Sequence, residues 1–365
     1  MAITHIIDDA EALAEWDRFQ MESPRGHYLQ LSSWLKSFSR YGFDAHIIAE
    51  RDAASGRIAG GIGMLRFGRP PFTLMSVPMG PTVDSDREDA VAPLLDEALR
   101  YAREEGAFLL QIKYPHADAH ADPALLERIE RPSGMLPRAG FPFNLVSAPN
   151  QLLWIPFDTL PAGDGWQDAL FEQFNSGTRR NIRKAEKSGL VLSEARTEAE
   201  LQAAYALIEQ NGVEQGYSTR TWEQFGTTLV EQVNKGEAVV LVATREGEPL
   251  GTHYGVVAGR RYSYIMGGTV RTEPDYKVGH FLHWNAIQRA HAMGLRGYDF
   301  TSGGSPGVMR FKLGFSPTHV PFVEPDYVVL SPVRFAVFSR VYPFLQRHKS
   351  SVARVASRLL GRQTA

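Results

Sequence analysis

The feature that most constrains the fold is an order of predicted elements that occurs twice along the chain. In each half, the residue pattern predicts a strand, two helices, a meander of three strands, a helix and a buried strand. The last helix of each half carries small residues at one spacing: Ala98, Ala102 and Gly106 in the first, Ala286, Ala290 and Gly294 in the second. Alanines and a C-terminal glycine recur in many helices, so these matches alone would not establish a repeat. The shared order of whole elements favours a duplicated domain over a solenoid.

This order is similar to that of the acetyltransferase fold known as GNAT. We therefore predict an α+β protein with two tandem GNAT-like (acyl-CoA N-acyltransferase fold) domains, residues 1–148 and 149–328, and a basic amphipathic helical tail, 329–365. A segment rich in proline and glycine, Glu130 to Pro149, is the predicted connector. A fold of this kind hosts many reactions, so it does not by itself indicate the chemistry.

Composition excludes several classes of protein. The 365 residues include no cysteine, which excludes disulfides, thiolate nucleophiles and Cys-ligated metals. The His, Asp and Glu residues show no convincing ligand spacing, so we predict no metal and no bound cofactor. A net charge of -2 argues against a generally basic nucleic-acid coat. The chain shows neither a secretion signal nor an apolar run of membrane-spanning length, so we expect a cytoplasmic protein, as a monomer.

The segment that would bind coenzyme A in a GNAT enzyme departs from the usual pattern. That pattern is similar to Gln/Arg-x-x-Gly-x-Gly/Ala, in which small residues let backbone N–H groups approach a pyrophosphate. The matching segment here, Tyr276 to Phe281, keeps Gly279 but has Phe281 where a small residue is needed. Binding of coenzyme A in that mode is therefore disfavoured.

Several short motifs follow one another from the first half to the end of the second. They are Trp34-Leu35-Lys36, Pro78-Met79-Gly80-Pro81, Arg179-Arg180-Asn181-Ile182-Arg183-Lys184-Ala185, Tyr298-Asp299-Phe300, and Phe311-Lys312 followed by Gly314-Phe315. In their order and spacing they resemble the FemABX family of aminoacyl-tRNA-dependent peptidyltransferases. The space between Thr197 and Gly247 holds no long coiled-coil arm, so the chain resembles the shorter FemX-like members.

The resemblance implies a function. It implies an aminoacyltransferase that moves an amino acid from aminoacyl-tRNA to the stem peptide of a peptidoglycan precursor, either UDP-MurNAc-peptide or lipid II. An alternative is a GNAT-fold acyltransferase that uses acyl-CoA or an acyl carrier in a surface-polysaccharide or lipid pathway. A third interpretation is a tRNA- or membrane-binding scaffold that has kept the fold but not the reaction.

A basic segment is the predicted phosphate site. Arg179, Arg180 and Arg183, with two further lysines, lie on a helix that Asn175 or Ser176 would cap. Guanidinium groups bind a diphosphate in a bidentate manner and stay charged, although such a run is more often a solvated face. By resemblance, Lys36 joins this site from the other domain; it could equally be an ordinary surface lysine.

The resemblance places the reaction at Phe311-Lys312. A cation there would stabilise the negative charge that develops on the aminoacyl carbonyl during aminolysis. The alternative is a lysine whose stem packs on the sheet while its ammonium stays in water. Asp299 could accept the proton of the attacking amine, or could instead bond backbone amides of the Gly303-Gly304 loop. His253, His280 and His283 are less favoured as bases.

Two tyrosines are predicted to line the acceptor channel. Tyr264 shares one face of a strand with Tyr262, and by resemblance it would contact the acceptor peptide. Tyr114 ends the corresponding strand of the first half and is a second candidate. Both could instead be tyrosines that pack on a half-buried sheet.

The last segment has an unusual charge. From Arg334 to the end, the chain has seven Lys or Arg residues and no Asp or Glu, with apolar residues interleaved. Such a helix could lie on the inner face of an anionic membrane, could contact tRNA phosphates, or could simply dock on the first domain.

Overall fold

The computed structural model describes residues 2–6, 8–84, 87–115, 149–322 and 325–347. The connector predicted at Glu130 to Pro149, except for its last residue, and the tail after residue 347 lie outside the described residues. The elements of the first lobe are, in chain order, β1 (Ala2–Ile6), α1 (Ala10–Glu22), α2 (Ser32–Ser37), β2 (Phe43–Arg51), β3 (Ile58–Phe67), β4 (Thr73–Pro78), β5 (Thr82–Val83), α3 (Val91–Glu104) and β6 (Ala107–Lys113).

The second lobe begins with a strand and two short helices and then repeats the order of the first. Its elements are β7 (Gln151–Pro156), α4 (Trp166–Gln173), α5 (Ser176–Glu186), β8 (Val191–Glu194), α6 (Glu198–Gln215), α7 (Trp222–Asn234), β9 (Ala238–Arg245), β10 (Glu248–Ala258), β11 (Arg261–Thr269), α8 (Val278–Ala292), β12 (Gly297–Asp299), α9 (Pro306–Leu313) and β13 (Thr318–Pro321). Two elements follow, β14 (Asp326–Val329) and α10 (Pro332–Arg347).

Each lobe is built on one sheet. The first sheet has the strand order β1-β2-β3-β4-β6-β14, with β5 paired to β3, and the second has the order β13-β7-β12-β11-β10-β9-β8. In both, a meander leads through a helix into a parallel strand, which pairs with the last strand of that meander. The predicted α+β fold with two GNAT-like domains is confirmed.

The aligned alanines and glycines occupy the same structural positions in the two lobes. Ala98 and Ala102 on α3, like Ala286 and Ala290 on α8, are fully buried, as close packing of a helix on a sheet requires. The glycine after each helix has a positive φ of 69°, a conformation that residues other than glycine rarely adopt. The spacing therefore reflects packing and helix termination at equivalent places.

The chain returns to the first lobe after completing the second. Strand β14 pairs antiparallel with β6, so these residues belong to the first sheet, although a boundary at residue 328 assigns most of them to the second domain. Helix α10 follows and packs against β6. Across the described residues, none of the helices has the length and apolar character needed to cross a bilayer.

A shared apolar cluster joins the lobes. Tyr28, Trp34 and Met79 of the first lobe pack with Phe225 and Tyr254 of the second. Met79 belongs to the Pro78-Met79-Gly80-Pro81 motif and has a positive φ of 62°, so the backbone leaves regular strand geometry at this residue. The motif therefore contributes to the contact between the lobes.

Three buried polar side chains, Ser33, Asp17 and Glu237, lie beside this cluster, with the more exposed Lys235 at their edge. The hydroxyl of Ser33 donates a hydrogen bond to Glu237 at 2.5 Å, and Lys235 forms an ion pair with Asp17 at 3.2 Å. Both contacts join one lobe to the other. Burial and the nearby Asp17 carboxylate raise the pKa of Glu237 well above its ordinary value of 4.5. Glu237 therefore retains its proton in the folded protein at a pH where it would lose it in the unfolded chain.

This difference predicts how stability depends on pH. Since the folded state binds more protons than the unfolded state above pH 4.5, the free energy of unfolding falls as pH rises. The slope attributable to Glu237 is at most about 1.4 kcal/mol per pH unit. In urea denaturation between pH 5 and 8, the free energy of unfolding of Glu237→Gln is expected to change less with pH than that of the wild type. Parallel curves for the two proteins would contradict the protonated state of Glu237.

Candidate active site

The two parallel strands of the second lobe separate at their carboxyl ends. Strands β11 and β12 pair only from Arg261 to Ser263, opposite Gly297 to Asp299, after which β11 continues to Thr269 beside β10. In the first lobe, β4 and β6 pair along all of β4, from Thr73 to Pro78. Ligands of α/β sheets bind beyond the carboxyl ends of parallel strands, and strands that separate there leave room for them. The gap beside Tyr264 and Asp299 is therefore the candidate active site.

Thr301 connects three of the predicted site residues at this gap. Its N–H donates to Asp299 Oδ1 at 2.8 Å, and its hydroxyl donates to the backbone oxygen of Tyr264 at 2.9 Å. Its own carbonyl oxygen accepts from Lys312 Nζ at 3.0 Å. The backbone of Thr301 has φ 52°, a conformation that costs free energy for a β-branched residue and is held by these bonds. The structure thus brings Asp299, Tyr264 and Lys312 together.

Lys312 is buried on α9, a helix that Ser305 caps and that has proline in its first turn. Its ammonium donates to the carbonyls of Thr301 and Gly303, at 3.0 and 3.1 Å, and lies 5.5 Å from the centre of the Tyr264 ring. An ammonium has three N–H donors, and these carbonyls take two. Burial lowers the pKa of Lys312 to about 8, while Asp299 opposes the shift, so the group is mostly charged at neutral pH.

Asp299 is buried, and its carboxylate accepts hydrogen bonds from backbone N–H groups. Its Oδ1 accepts from the N–H groups of Leu153, at 3.0 Å, and Thr301, at 2.8 Å. Burial raises the pKa of Asp299 to about 6, and the two backbone hydrogen bonds limit the increase. These contacts match the structural alternative that the sequence left open, although the amides belong to Leu153 and Thr301 instead of the glycine loop.

Two of the three nearby histidines, His253 and His283, pack against the tyrosines of the site. His253 Nε2 and His283 Nδ1 both contact the hydroxyl of Tyr298, at 2.8 and 2.7 Å. Burial lowers the pKa of His253 to about 3 and also lowers that of His283, so both rings are neutral. Each ring also packs against Tyr264. These residues fix the position of Tyr264. Among the described residues, no cluster of three His, Asp or Glu side chains could hold a metal ion.

Phe311 covers the beginning of α8, where a GNAT enzyme would bind pyrophosphate. A β-carbon placed on Gly279 would lie 3.6 Å from the Phe311 ring, and the ring of His280 lies 4.8 Å from that of Phe311. Phe281 is buried in the core. The short side chains expected of a coenzyme A loop are thus replaced by an aromatic group that lies over the helix terminus.

The basic segment forms α5 as predicted, with Asn175 as its cap. Asn175 Oδ1 accepts from the N–H of Thr178 at 2.7 Å. Arg179 pairs with Glu172, and Arg183 lies over the Phe171 ring at 5.0 Å. Arg180 and Arg183 are exposed. The helix therefore presents cations to solvent, and two of its arginines also hold α4.

Helix α5 and the Lys312 helix meet at one end of the second lobe. The N–H of Asn175 donates to the carbonyl of Gly314, the residue that directly follows α9, at 3.1 Å. Farther along α5, Asn181 contacts His280 at 3.2 Å, and His280 packs on Phe311. The basic helix and the Lys312 helix are thus parts of one surface region.

Lys36 lies elsewhere, on the exposed side of α2. It lines a cavity of about 420 Å³ that also includes Asp8 and Asp44, and to which α5 contributes no residue. The neighbouring Ser37 accepts a hydrogen bond from Arg220 of the second lobe at 2.8 Å. Sequence reasoning missed Arg220, which is held among Trp34 and other aromatic rings and whose burial lowers its pKa. No local motif distinguishes this arginine, because its partners come from the other lobe.

Tyr114 lies in the first lobe, where its hydroxyl donates to Asp326 at 2.9 Å. Asp326 begins β14, the strand that returns from the second lobe. This hydrogen bond links the end of β6 to the start of β14. The structure does not place Tyr114 at the gap beside Tyr264.

Comparison with known protein families gives a match in each lobe. The model of the FemAB family matches residues 12–134, and the model described as an acetyltransferase (GNAT) domain matches residues 173–313. The lipid II:glycine glycyltransferase of Staphylococcus aureus (strain MRSA252) is 26% identical over 216 residues, which are 58% of this chain and 48% of that protein. The chain thus spans about half the length of the curated relatives it matches.

Solved structures show the same fold. The crystal structure of FemX superposes with a TM-score of 0.74 at 18% identity, covering 93% of this chain and 100% of that one. The structure of L-PGS from Bacillus licheniformis gives 0.54 at 14% identity, covering 91% and 96%. Fold and site therefore define a tandem GNAT-fold protein. Within that class, the first lobe is similar to the FemAB family model, the chain is similar to about half the length of the glycyltransferase relatives, and FemX has the same fold.

Proposed function

We propose that this protein transfers an amino acid from aminoacyl-tRNA to an amine in the stem peptide of a peptidoglycan precursor. The observation that carries the proposal is the ammonium of Lys312, which is fixed by two carbonyls at the gap between β11 and β12 and has one N–H donor remaining. The names of the relatives, lipid II:glycine glycyltransferases, support both an aminoacyl group and a precursor as acceptor.

The reaction needs a fixed cation more than a protein nucleophile. A neutral amine of the acceptor attacks the ester carbonyl, whose oxygen becomes negative in the tetrahedral intermediate. The bond to the ribose oxygen then breaks, an amide forms, and the proton lost by the amine passes to that oxygen. The remaining N–H of Lys312 would stabilise the oxyanion, and its fixed position avoids reorganisation during the reaction. Since the ester is already activated, the absence of cysteine is no obstacle.

Both proposed substrates are polyanions, and the second lobe offers cations for them. Arg180 and Arg183 project from α5 near the helix that carries Lys312, and guanidinium groups bind phosphates with paired hydrogen bonds. Arg220 provides a further cation where the lobes meet. We propose that α5 binds the phosphate groups of the precursor or of the tRNA. Lys36 lies in a separate cavity, so any phosphate that it binds would lie away from α5.

An acyl-CoA donor is the alternative that the fold allows. It would need the start of α8 to receive a pyrophosphate, but Phe311 lies against Gly279 there and Phe281 is buried. This arrangement favours a donor that does not bind in the GNAT manner, which an aminoacyl-tRNA satisfies.

The proposal is tested by offering both donors. The purified protein is incubated with tRNA charged with a mixture of radiolabelled amino acids, and separately with labelled acetyl-CoA, each with a UDP-MurNAc-peptide and with lipid II. We expect label from tRNA to enter a precursor, and the transfer to stop when the tRNA is digested beforehand. Transfer from acetyl-CoA alone would establish the alternative, and no transfer from either donor would favour a binding scaffold.

The role of α5 gives a second test. The double substitution Arg180→Gln with Arg183→Gln is expected to raise KM for the phosphate-bearing substrate about 10- to 100-fold, because a hydrogen bond to a charged group contributes roughly 1.5–3 kcal/mol. The value of kcat should change much less. Arg57→Gln with Arg103→Gln removes two exposed arginines from the first lobe and is the matched control. Equal KM values for the two double variants would contradict the assignment.

A further inference from the structure

Helix α10 is held on the first lobe by the face that carries Arg334, Phe335 and Phe338. Arg334 donates to the carbonyls of Pro71, at 3.1 Å, and Gly106, at 2.8 Å. Phe338 packs on Phe108 with 5.1 Å between ring centres, and Phe335 joins the same cluster. These contacts fix both the position of the helix and its rotation about its own axis, so the identity of its outer face is determined.

The outer face is apolar where a surface helix is usually polar. Val333, Val337 and Val341 follow one another at intervals of four residues and are exposed by 75%, 43% and 45%. Ala336 and Arg340 share this exposed side. Single exposed valines are common, but three in a row on a helix whose other face already serves the fold are not required by packing.

An aromatic side chain extends this surface. Phe72, in the turn between β3 and β4, is 45% exposed, and its ring lies 6.2 Å from that of Phe108. Since Phe338 packs on the same Phe108, Phe72 and α10 lie on one side of the first sheet. The preceding residue, Pro71, is an anchor of Arg334. Val333, Val337, Val341 and Phe72 are called the valine face below.

The charged residues of α10 and of the sequence that follows it all have one sign. Arg340 lies on the exposed side of α10, and the sequence from Arg334 onward contains seven basic residues and no acidic one. Four of the seven, from Lys349 to Arg362, lie outside the described residues. Apolar side chains beside cations match an anionic lipid surface, which takes apolar groups below its headgroups and attracts cations at them. An RNA partner would use the cations but would leave the valines without a role.

We infer that the valine face docks this protein on an anionic phospholipid surface. The inference adds a partner to the proposed function but depends only on α10, its surroundings and the basic residues that follow it in the sequence. Vesicle binding is measured without tRNA or precursor, so its failure is distinguishable from a failure of aminoacyl transfer.

The test uses co-sedimentation with vesicles of phosphatidylglycerol and phosphatidylcholine. The full chain is expected to bind them, and to bind pure phosphatidylcholine at least tenfold more weakly. The triple substitution Val333→Gln, Val337→Gln and Val341→Gln should reduce binding at least tenfold and leave transfer to a water-soluble precursor unchanged. The matched control is Val191→Gln with Val213→Gln, two valines of the second lobe that are exposed by 61% and 83%. Glutamine suits an exposed helix, so α10 should persist, which circular dichroism checks.

Several outcomes would overturn the inference. One is a wild-type protein that fails to bind the anionic vesicles or binds both kinds equally. Another is a triple variant that binds as well as the control. If sedimentation velocity shows a dimer that the triple substitution converts to a monomer, the valine face is covered by a second copy of the chain, and the lipid assignment is wrong.

Discussion

Replacing Lys312 by methionine is expected to lower kcat for aminoacyl transfer by about 10²- to 10³-fold, the loss typical of removing one oxyanion donor. Methionine keeps much of the apolar stem but removes the ammonium that contacts Thr301 and Gly303. The values of KM should stay within a few fold, because the proposed interaction forms in the transition state. Lys312→Ala should show the same loss with a larger decrease in stability, since it also opens a cavity.

The pH profile distinguishes a charged Lys312 from a merely structural one. Because burial lowers the pKa of Lys312 to about 8, the ammonium is lost as pH rises through that value, and kcat should fall on the alkaline side. In Lys312→Arg the cation persists, so the alkaline decline should disappear even if the rate is reduced. Near-normal turnover in Lys312→Met, or the same alkaline decline in Lys312→Arg, would contradict the role proposed for this residue.

Asp299→Ala is expected to lower the free energy of unfolding by about 2–5 kcal/mol, since the buried N–H groups of Leu153 and Thr301 would lose their acceptor. It should also abolish transfer, because Thr301 supplies a carbonyl that holds Lys312. Urea denaturation and single-turnover transfer measure the two effects. Stability close to that of the wild type would show that the backbone finds other partners.

Asp299→Asn separates the two roles considered for this carboxylate. One oxygen, Oδ1, accepts both backbone hydrogen bonds, and the side-chain oxygen of an asparagine in its place can do the same. With a backbone role alone, the Asp299→Asn variant should retain most stability and most activity. If Asp299 accepts the proton of the attacking amine, the variant should be as stable as the wild type but should lose transfer.

The fold could be predicted because its signals are local and occur twice. The alternation of strands, the helix periodicity and the alanines of α3 and α8 each depend on residues close in sequence. The return of β14 to β6 could not be predicted in this way. It joins strands separated by more than a whole lobe, and a four-residue strand carries too little pattern to indicate its partner.

The sequence indicated several residues of the candidate site but not the contacts that these residues make. Family resemblance indicated Lys312 and Asp299, but a lysine in an amphipathic helix is usually solvated, so its burial was not evident from the sequence. Thr301 was missed because a threonine after a strand has no distinguishing pattern, and a φ of 52° at a β-branched residue is not expected from sequence. Lys36 and Tyr114 occupy separate places. Tertiary structure sets both the cavity that Lys36 lines together with Asp8 and Asp44 and the hydrogen bond from Tyr114 to Asp326.

The most direct measurement is a tandem mass spectrum of the precursor after incubation with the protein and a pool of charged tRNAs. Transfer predicts a mass increase equal to one or more amino acid residues, with the added residue linked to the side-chain amine of the stem peptide, and no increase with Lys312→Met at early times. A precursor of unchanged mass in the presence of intact charged tRNA, or an added group located outside the peptide, would contradict the account.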